Sequence, residues 1–248
     1  AINSILAPNN SCALTATETI TIRVSNAGLD NITSFDAYYV VNNGTPVHEV
    51  VTATIAPLAT YDYSFTTKAD LSAYGNYSID AYVTQAGEQI TMNDTIKDYT
   101  FYSGWDFSNS AYTMGFEPTE NFTDWSIINS DGHATYKWVM PYSSSTYSHT
   151  GTYSAEFYNG TTNAGEDWLF SRCFPFETGK TYEISFWYRV YSASSPQTLT
   201  LKMGSAPASA SMTTTLKFLP NIINVAHQQS VTRFTVPANG SYYFGWLG

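Results

Sequence analysis

Charge is scarce in this chain: Asp, Glu, Lys and Arg make up 12% of 248 residues, with ten basic against twenty acidic groups and a formal net charge of −10. So few basic residues form no stripe able to neutralise a phosphate backbone, and the acidity repels one, so nucleic acid is excluded as a partner. Long apolar runs are missing as well. None approaches the ~18 residues of a membrane-spanning helix, which excludes membrane insertion by a helix. Residues 1–12 lack the basic start and apolar core of an export signal, so a mature or trimmed chain is expected, with any signal or anchor lying outside it. Cysteine is nearly absent. Cys12 and Cys173 have no CxxC or Cys/His spacing for zinc or redox chemistry; two separate thiols packed as small apolar groups are expected, with a disulfide between them as the alternative.

Catalytic signatures are missing too: there is no GxSxG, HExxH, P-loop or GxGxxG. His48-Glu49 begins like a zinc-protease motif, but Val50, Val51 and Thr52 follow and the second histidine is absent. The histidines, His48, His133, His149 and His227, fall in turn or strand contexts without an evident partner. Glu156 and Asp167 have the composition of a glycosidase dyad, yet carboxylates are placed by folding and sequence does not set their separation. The expectation is a protein that is not an enzyme. Its acidity suits a soluble extracellular protein, and such a surface more often serves solubility than Ca²⁺ capture.

Aromatic residues, by contrast, make up 16% of the chain, with 20 Tyr. Aromatic and β-branched strand formers therefore outweigh helix-forming Glu, Lys and Arg, which predicts an all-β protein. The length suits two domains. The clearest strand lies at residues 181–190, where Tyr182, Ile184, Phe186, Tyr188 and Val190 share one face and Thr181, Glu183, Ser185, Trp187 and Arg189 the other. The turn Glu177-Thr178-Gly179-Lys180 precedes it, joining it to a strand that starts at Trp168.

In residues 1–103, short alternating runs such as ITIRV and YSIDAYV are separated by turns at Asn26-Ala27-Gly28 and Asn43-Gly44. Some seven such strands in about 100 residues predict an immunoglobulin-like sandwich. The runs VSNAG, YVVNNGTPVHEVV, IAPLATYDYSF and MNDT resemble the Ig-like repeats of the CARDB type in exported bacterial surface proteins, which implies a spacer or adhesion role. Residues 104–110 are predicted to be a short linker. Trp105 and Phe107 argue against a flexible one.

Residues 111–248 carry a further eight or nine predicted strands, for which a jelly roll is the natural architecture. GFEP, DWSIINSDG, YSAEF, EDWLFSRCFPFETGKTYEISFWYRV and FTVPANGSYYFGW resemble the cleaved-adhesin domain of gingipain-type haemagglutinins and the related choice-of-anchor and MAM-like jelly rolls. The resemblance implies a β-sandwich module, extracellular or on the cell surface, that binds glycan or a host or matrix protein, often with structural Ca²⁺. By position in that family, Glu117 and Asp167 are the metal candidates, with Asp131 and Asn129 as a loop set. Ca²⁺ needs six to eight oxygens, and here NSDGHA stands where the family has a richer acidic loop. The family also adds a final strand after Trp246-Leu247-Gly248, so the resemblance implies a jelly roll truncated before its last strand. An unpaired edge would then favour a homo-oligomer.

Trp187 and Arg189 are the ligand-binding candidates. On an open sheet face they would stack on a sugar and hold its hydroxyls; burial of Trp187 under a second layer is the more ordinary outcome. Two functions fit: a non-catalytic adhesion module contacting host protein or glycan, or an ancillary carbohydrate-binding or spacer region of an exported hydrolase.

Overall fold

A computed structural model of the chain describes residues 1–88, 92–108, 110–122, 124–159 and 166–248. The described residues are all-β apart from one 3₁₀ turn at Ser209–Ser211, and they divide into two compact units, Ala1–Ser108 and Asn109–Gly248.

The first unit is a sandwich of two antiparallel sheets. One orders β1 (Ile2–Ala7), β2 (Thr21–Ser25) and β5 (Thr60–Ser64) as β1-β2-β5. The other orders β3 (Ile32–Val41), β4 (Val47–Ile55), β6 (Gly75–Thr84) and β7 (Thr95–Ser103) as β4-β3-β6-β7. The period-two pattern does what it predicts: Tyr77, Ile79, Ala81 and Val83 of β6 turn inward. There they join one cluster with Ile20, Ile22, Phe65 and Leu71, each 0% exposed. Each such side chain contributes about 1.5–3 kcal/mol on burial. Between β3 and β4 the chain reverses at Asn42 and Asn43, both at positive φ (48° and 56°), a conformation Asn tolerates better than other side chains.

In the second unit, β8 (Ser126–Ile128), β11 (Trp168–Phe170), β12 (Phe174–Phe176), β14 (Gln197–Gly204), β15 (Thr214–Ile222) and β17 (Gly240–Leu247) form a six-stranded sheet. Its order is β15-β14-β17-β11-β8, with β12 also on β17. Two ribbons lie over it: β9 (Trp138–Ser143) paired with β10 (Tyr153–Phe157), and β13 (Tyr182–Tyr188) paired with β16 (Gln228–Phe234). The first ribbon packs Met140, Ala155 and Phe157 against Leu169 and Trp246. The second packs Phe186 edge-on to Trp246 (6.0 Å) and Phe234 to Phe244 (5.6 Å). Gly245 is required where β17 passes the stacked rings of Trp168 and Phe170, since a Cβ there would lie 3.0 Å from both. Strand β17 has neighbours on both sides, and the outer strands of this sheet are β15 and β8.

The sequence expectation for the cysteines is corrected: Cys12 and Cys173 are both disulfide-bonded and neither is a free thiol. Distance along a chain carries no information on distance in the fold, so spacing favoured the wrong state. The bond is consistent with an oxidising, extracellular setting.

Candidate functional site

The ribbon β13–β16 covers the core with one face only. Tyr182, Ile184 and Phe186 turn inward opposite Phe234, Thr232 and Ser230, and the other face presents Glu183, Ser185 and Trp187 opposite Arg233, Val231 and Gln229. Trp187 is 47% exposed, so the burial that residue type usually finds is not what happens here. A partner comes from the loop between β9 and β10: the His149 ring stacks on the indole, with centroids 3.9 Å apart and planes 11° from parallel. His227, just before β16, meets His149 edge-on at 5.2 Å.

That loop is held from three sides. At its base, Ser144 N–H donates to Thr152 O (2.8 Å), and the Glu117 carboxylate accepts from the Thr152 and Tyr153 amides at 2.8 and 3.0 Å. These bonds, Thr152 first and then Tyr153, hold the Glu117 carboxyl below its ordinary pKa. Gly151 sits at φ +65°, which favours glycine, and a Cβ on it would displace the Glu117 carboxylate from its place at the loop base. On the ribbon side, Arg189 Nη1 donates to Thr146 O (3.3 Å) with its guanidinium 5.0 Å from the centre of the Tyr147 ring. His227 Nε2 lies 3.0 Å from Tyr147 O. Tyr191, 79% exposed, meets Tyr147 edge-on and completes the surface.

A cleft of about 290 Å³ opens at the same end of the ribbon, lined by Tyr188, Gln228 and residues 219–224. Its polar groups are the amides of Asn221, Asn224 and Gln228 and the Tyr188 hydroxyl, which donates to Gln228 Oε1 (3.2 Å). No carboxylate or imidazole lines it. It therefore has hydrogen-bonding groups for a neutral polar ligand and no acid–base pair.

The four metal candidates separate into two places. Glu117 is engaged at the loop base just described. Asp167, 1% exposed, accepts from Ser130 N–H (2.7 Å). Asp131 Oδ1 accepts from His133 N–H and Asn129 Nδ2 donates to His133 O, each at 2.8 Å, so these three belong to one turn system. Asn129 Oδ1 is buried without a partner. Among the described residues no three His, Cys, Asp or Glu side chains gather where they could hold a metal ion, and the carboxylates named here are already accepting backbone amides. The set does not fit the six to eight oxygens of Ca²⁺. Nor does Asp167 stand as half of a dyad with Glu156, because its carboxylate is sealed in the turn. Burial raises the Glu156 carboxyl, against the pull of the neighbouring Tyr142 and Tyr158 hydroxyls.

Sequence reasoning missed Tyr147, His149, Tyr191 and His227 as parts of one surface. They come from three separate segments, and nothing local in any segment signals the others.

No family model matches the chain, and no curated protein matches it. Among solved structures, the K2 cleaved adhesin domain of Lys-gingipain is similar at 15% identity and a TM-score of 0.39, over 55% of this chain and 87% of that one. The K3 cleaved adhesin domain of Lys-gingipain from Porphyromonas gingivalis is similar at 12% identity and 0.40, over 50% and 79%. The CBM22-1-CBM22-2 tandem domain of Xyn10C from Paenibacillus barcinonensis is similar at 10% identity and 0.33, over 95% and 72%. At these identities and scores the likeness concerns the arrangement of strands, and a functional reading has to stand on the site.

Proposed function

We propose that this chain is a non-catalytic binding module of an exported protein, and that the surface formed by Trp187, His149, Arg189 and Tyr191 is its ligand-binding face, with glycan as the ligand. The observation that carries this reading is the exposure of Trp187 on the open face of a ribbon, with its ring position fixed by His149. A large aromatic left 47% in solvent and held by a three-sided loop costs exposed apolar surface without repaying it in packing. Ligand binding repays it, because a pyranose ring presents an apolar C–H face that stacks on an indole while polar neighbours hold its hydroxyls. Host or matrix protein is the competing ligand, and service to a hydrolase carried elsewhere in the parent protein leaves the surface argument unchanged.

Titration of the chain against an array of neutral and acidic oligosaccharides tests this. Binding to at least one of them that is lost in Trp187→Ala, with the far-ultraviolet spectrum and melting temperature retained, is expected. Binding that survives Trp187→Ala, or no glycan bound at millimolar concentration, overturns it.

A further inference from the structure

The glycan reading leaves the class of sugar open, and the distribution of charge narrows it. All twenty acidic residues lie at or before position 183; residues 184–248 contain four basic residues and no Asp or Glu, and residues 132–155 contain no Asp or Glu either. These two acid-free segments supply Tyr147, His149, Trp187, Arg189, Tyr191 and His227, so the binding surface is built from the non-acidic part of an acidic chain. At physiological salt the Debye length is about 8 Å, so an arriving ligand responds to these nearby groups more than to the net charge of −10.

Among the described residues, Glu117 and Glu183 are carboxylates close to this surface, and both are committed. Glu117 accepts from the Thr152 and Tyr153 amides under the loop, and Glu183 is paired with Arg233 at 3.0 Å. Arg189 differs from Arg23 and Arg233, each of which has a carboxylate partner. It contacts two backbone carbonyls, Val190 O and Thr146 O, and the face of Tyr147. Neutral carbonyls orient a guanidinium without neutralising it. The result is an oriented positive charge one position past the end of β13, next to an exposed indole that touches the same loop: Arg189 meets Tyr147 and Trp187 meets His149.

We propose that this surface takes an acidic glycan, with the sugar ring on the Trp187–His149 stack and the ring carboxylate on Arg189. The inference rests on the glycan reading above and deepens it. A guanidinium and a carboxylate pair in a charge-assisted, directional way that a hydroxyl does not reproduce, so the charged and neutral forms of one sugar are distinguishable here.

The test is titration with hexagalacturonate and hexamannuronate, each against its carboxyl-reduced, neutral counterpart of the same ring configuration. At least one acidic member is expected to bind ten-fold or more tighter than its neutral counterpart at 50 mM NaCl, with the advantage shrinking at 500 mM. Arg189→Gln should remove the advantage, weakening the acidic member about ten-fold more than its neutral counterpart. Arg189→Lys, which keeps the charge and loses the fork, should retain part of it and so controls for loop misfolding. Trp187→Ala should abolish both. Equal affinity for acidic and neutral members, or an Arg189→Gln effect that is the same on both, overturns the inference and leaves the glycan reading standing. Failure of both acidic probes to bind at millimolar concentration also overturns the inference, while the glycan reading stands or falls on the oligosaccharide array.

Discussion

Each unit carries a stack of aromatic rings on an outer face, and the two stacks are built in opposite ways. In the first unit, Tyr38 lies between His48 and Tyr82, with both centroid distances 4.5 Å and the rings nearly parallel. All three are direct cross-strand partners on β4, β3 and β6, so strand register alone makes the stack. Tyr38 has a ring on each side, and His48 Nε2 is 2.7 Å from Asp36. In the second unit, Trp187 takes its partner from a loop clamped by Glu117 and Arg189, and it remains 47% exposed beside carboxylates that are already engaged. A stack made by register satisfies itself and stiffens a sheet. A stack assembled by a held loop keeps aromatic surface in water, and that is the arrangement a ligand can use.

The sharpest way to break the comparison is to truncate the two central rings in parallel. Trp187→Ala should weaken glycan binding by about 30-fold or more, the scale of a buried aromatic anchor, with little loss of stability. Tyr38→Ala should leave binding unchanged and cost about 1 kcal/mol in urea denaturation, from the lost cross-strand pairs. If Tyr38→Ala is the variant that loses binding, the roles of the two stacks are reversed.

Next in size is a contrast in how the units use a carboxylate. Burial would push Glu49 upward, but the Tyr63 hydroxyl, the Thr66 and Thr67 amides and the Thr66 hydroxyl outweigh it and lower its pKa to about 2. The unfolded carboxyl titrates near the ordinary glutamate value of 4.5, so this stabilisation is complete above that pH and is lost as pH falls toward 2. Tyr63, pushed up to about 12 first by burial and then by Glu49, gives the mirror case: its share is present below pH 10 and lost as pH rises through 12. Glu49→Gln should cost about 1–2 kcal/mol at pH 7, less than the full shift implies because the carboxylate is partly solvated and screened, and should flatten the stability profile between pH 4.5 and 2. An unchanged acid limb in the variant would show that the network does not set acid stability.

The sandwich of the first unit was legible because its information is local. Alternation in ITIRV and YSIDAYV and the Asn43-Gly44 turn signal, one residue from the Asn42-Asn43 reversal found, each report on a few neighbouring residues, and register then follows. The organising strand at Tyr182–Tyr188 was legible for the same reason, including which face Trp187 occupies. What covers that face was not, since burial depends on the rest of the chain, and here a loop forty residues upstream decides it. Glu117 shows the limit most clearly. It was a metal candidate by its position in the resembled family, and no pattern near it signalled that its oxygens accept from the amides of Thr152 and Tyr153. The expectation of two separate thiols failed because cysteine pairing is a property of the folded chain.

Gly151→Ala probes that loop directly. The substitution puts a side chain at φ +65° and a Cβ against Glu117, so it should cost about 1–2 kcal/mol and quench the distinct environment of Trp187 in fluorescence as His149 is displaced. Glu117→Ala in the same background should recover some stability by removing the clash while leaving the loop loose. Full retention of both stability and glycan binding in Gly151→Ala would mean that the loop does not position the stack.

The smallest effect is expected where the geometry looks strongest. Arg23 and Asp62 form a two-point pair across β2 and β5, with Nε to Oδ1 at 2.6 Å and Nη2 to Oδ2 at 2.7 Å, and each raises or lowers the other in the direction that favours charge. Both side chains are 44% exposed, so water and salt screen the attraction, and ordering two long side chains offsets much of what is left. Arg23→Gln should therefore leave the thermal midpoint within experimental error at 150 mM NaCl, while Arg189→Gln, which breaks only contacts to carbonyls and a ring, changes ligand affinity. A clear fall in the midpoint for Arg23→Gln that disappears at high salt would show that a pair on the acidic unit's surface is worth more than its exposure implies. The contrast between arginines used for packing and an arginine held for a ligand would then have to be drawn from binding data alone.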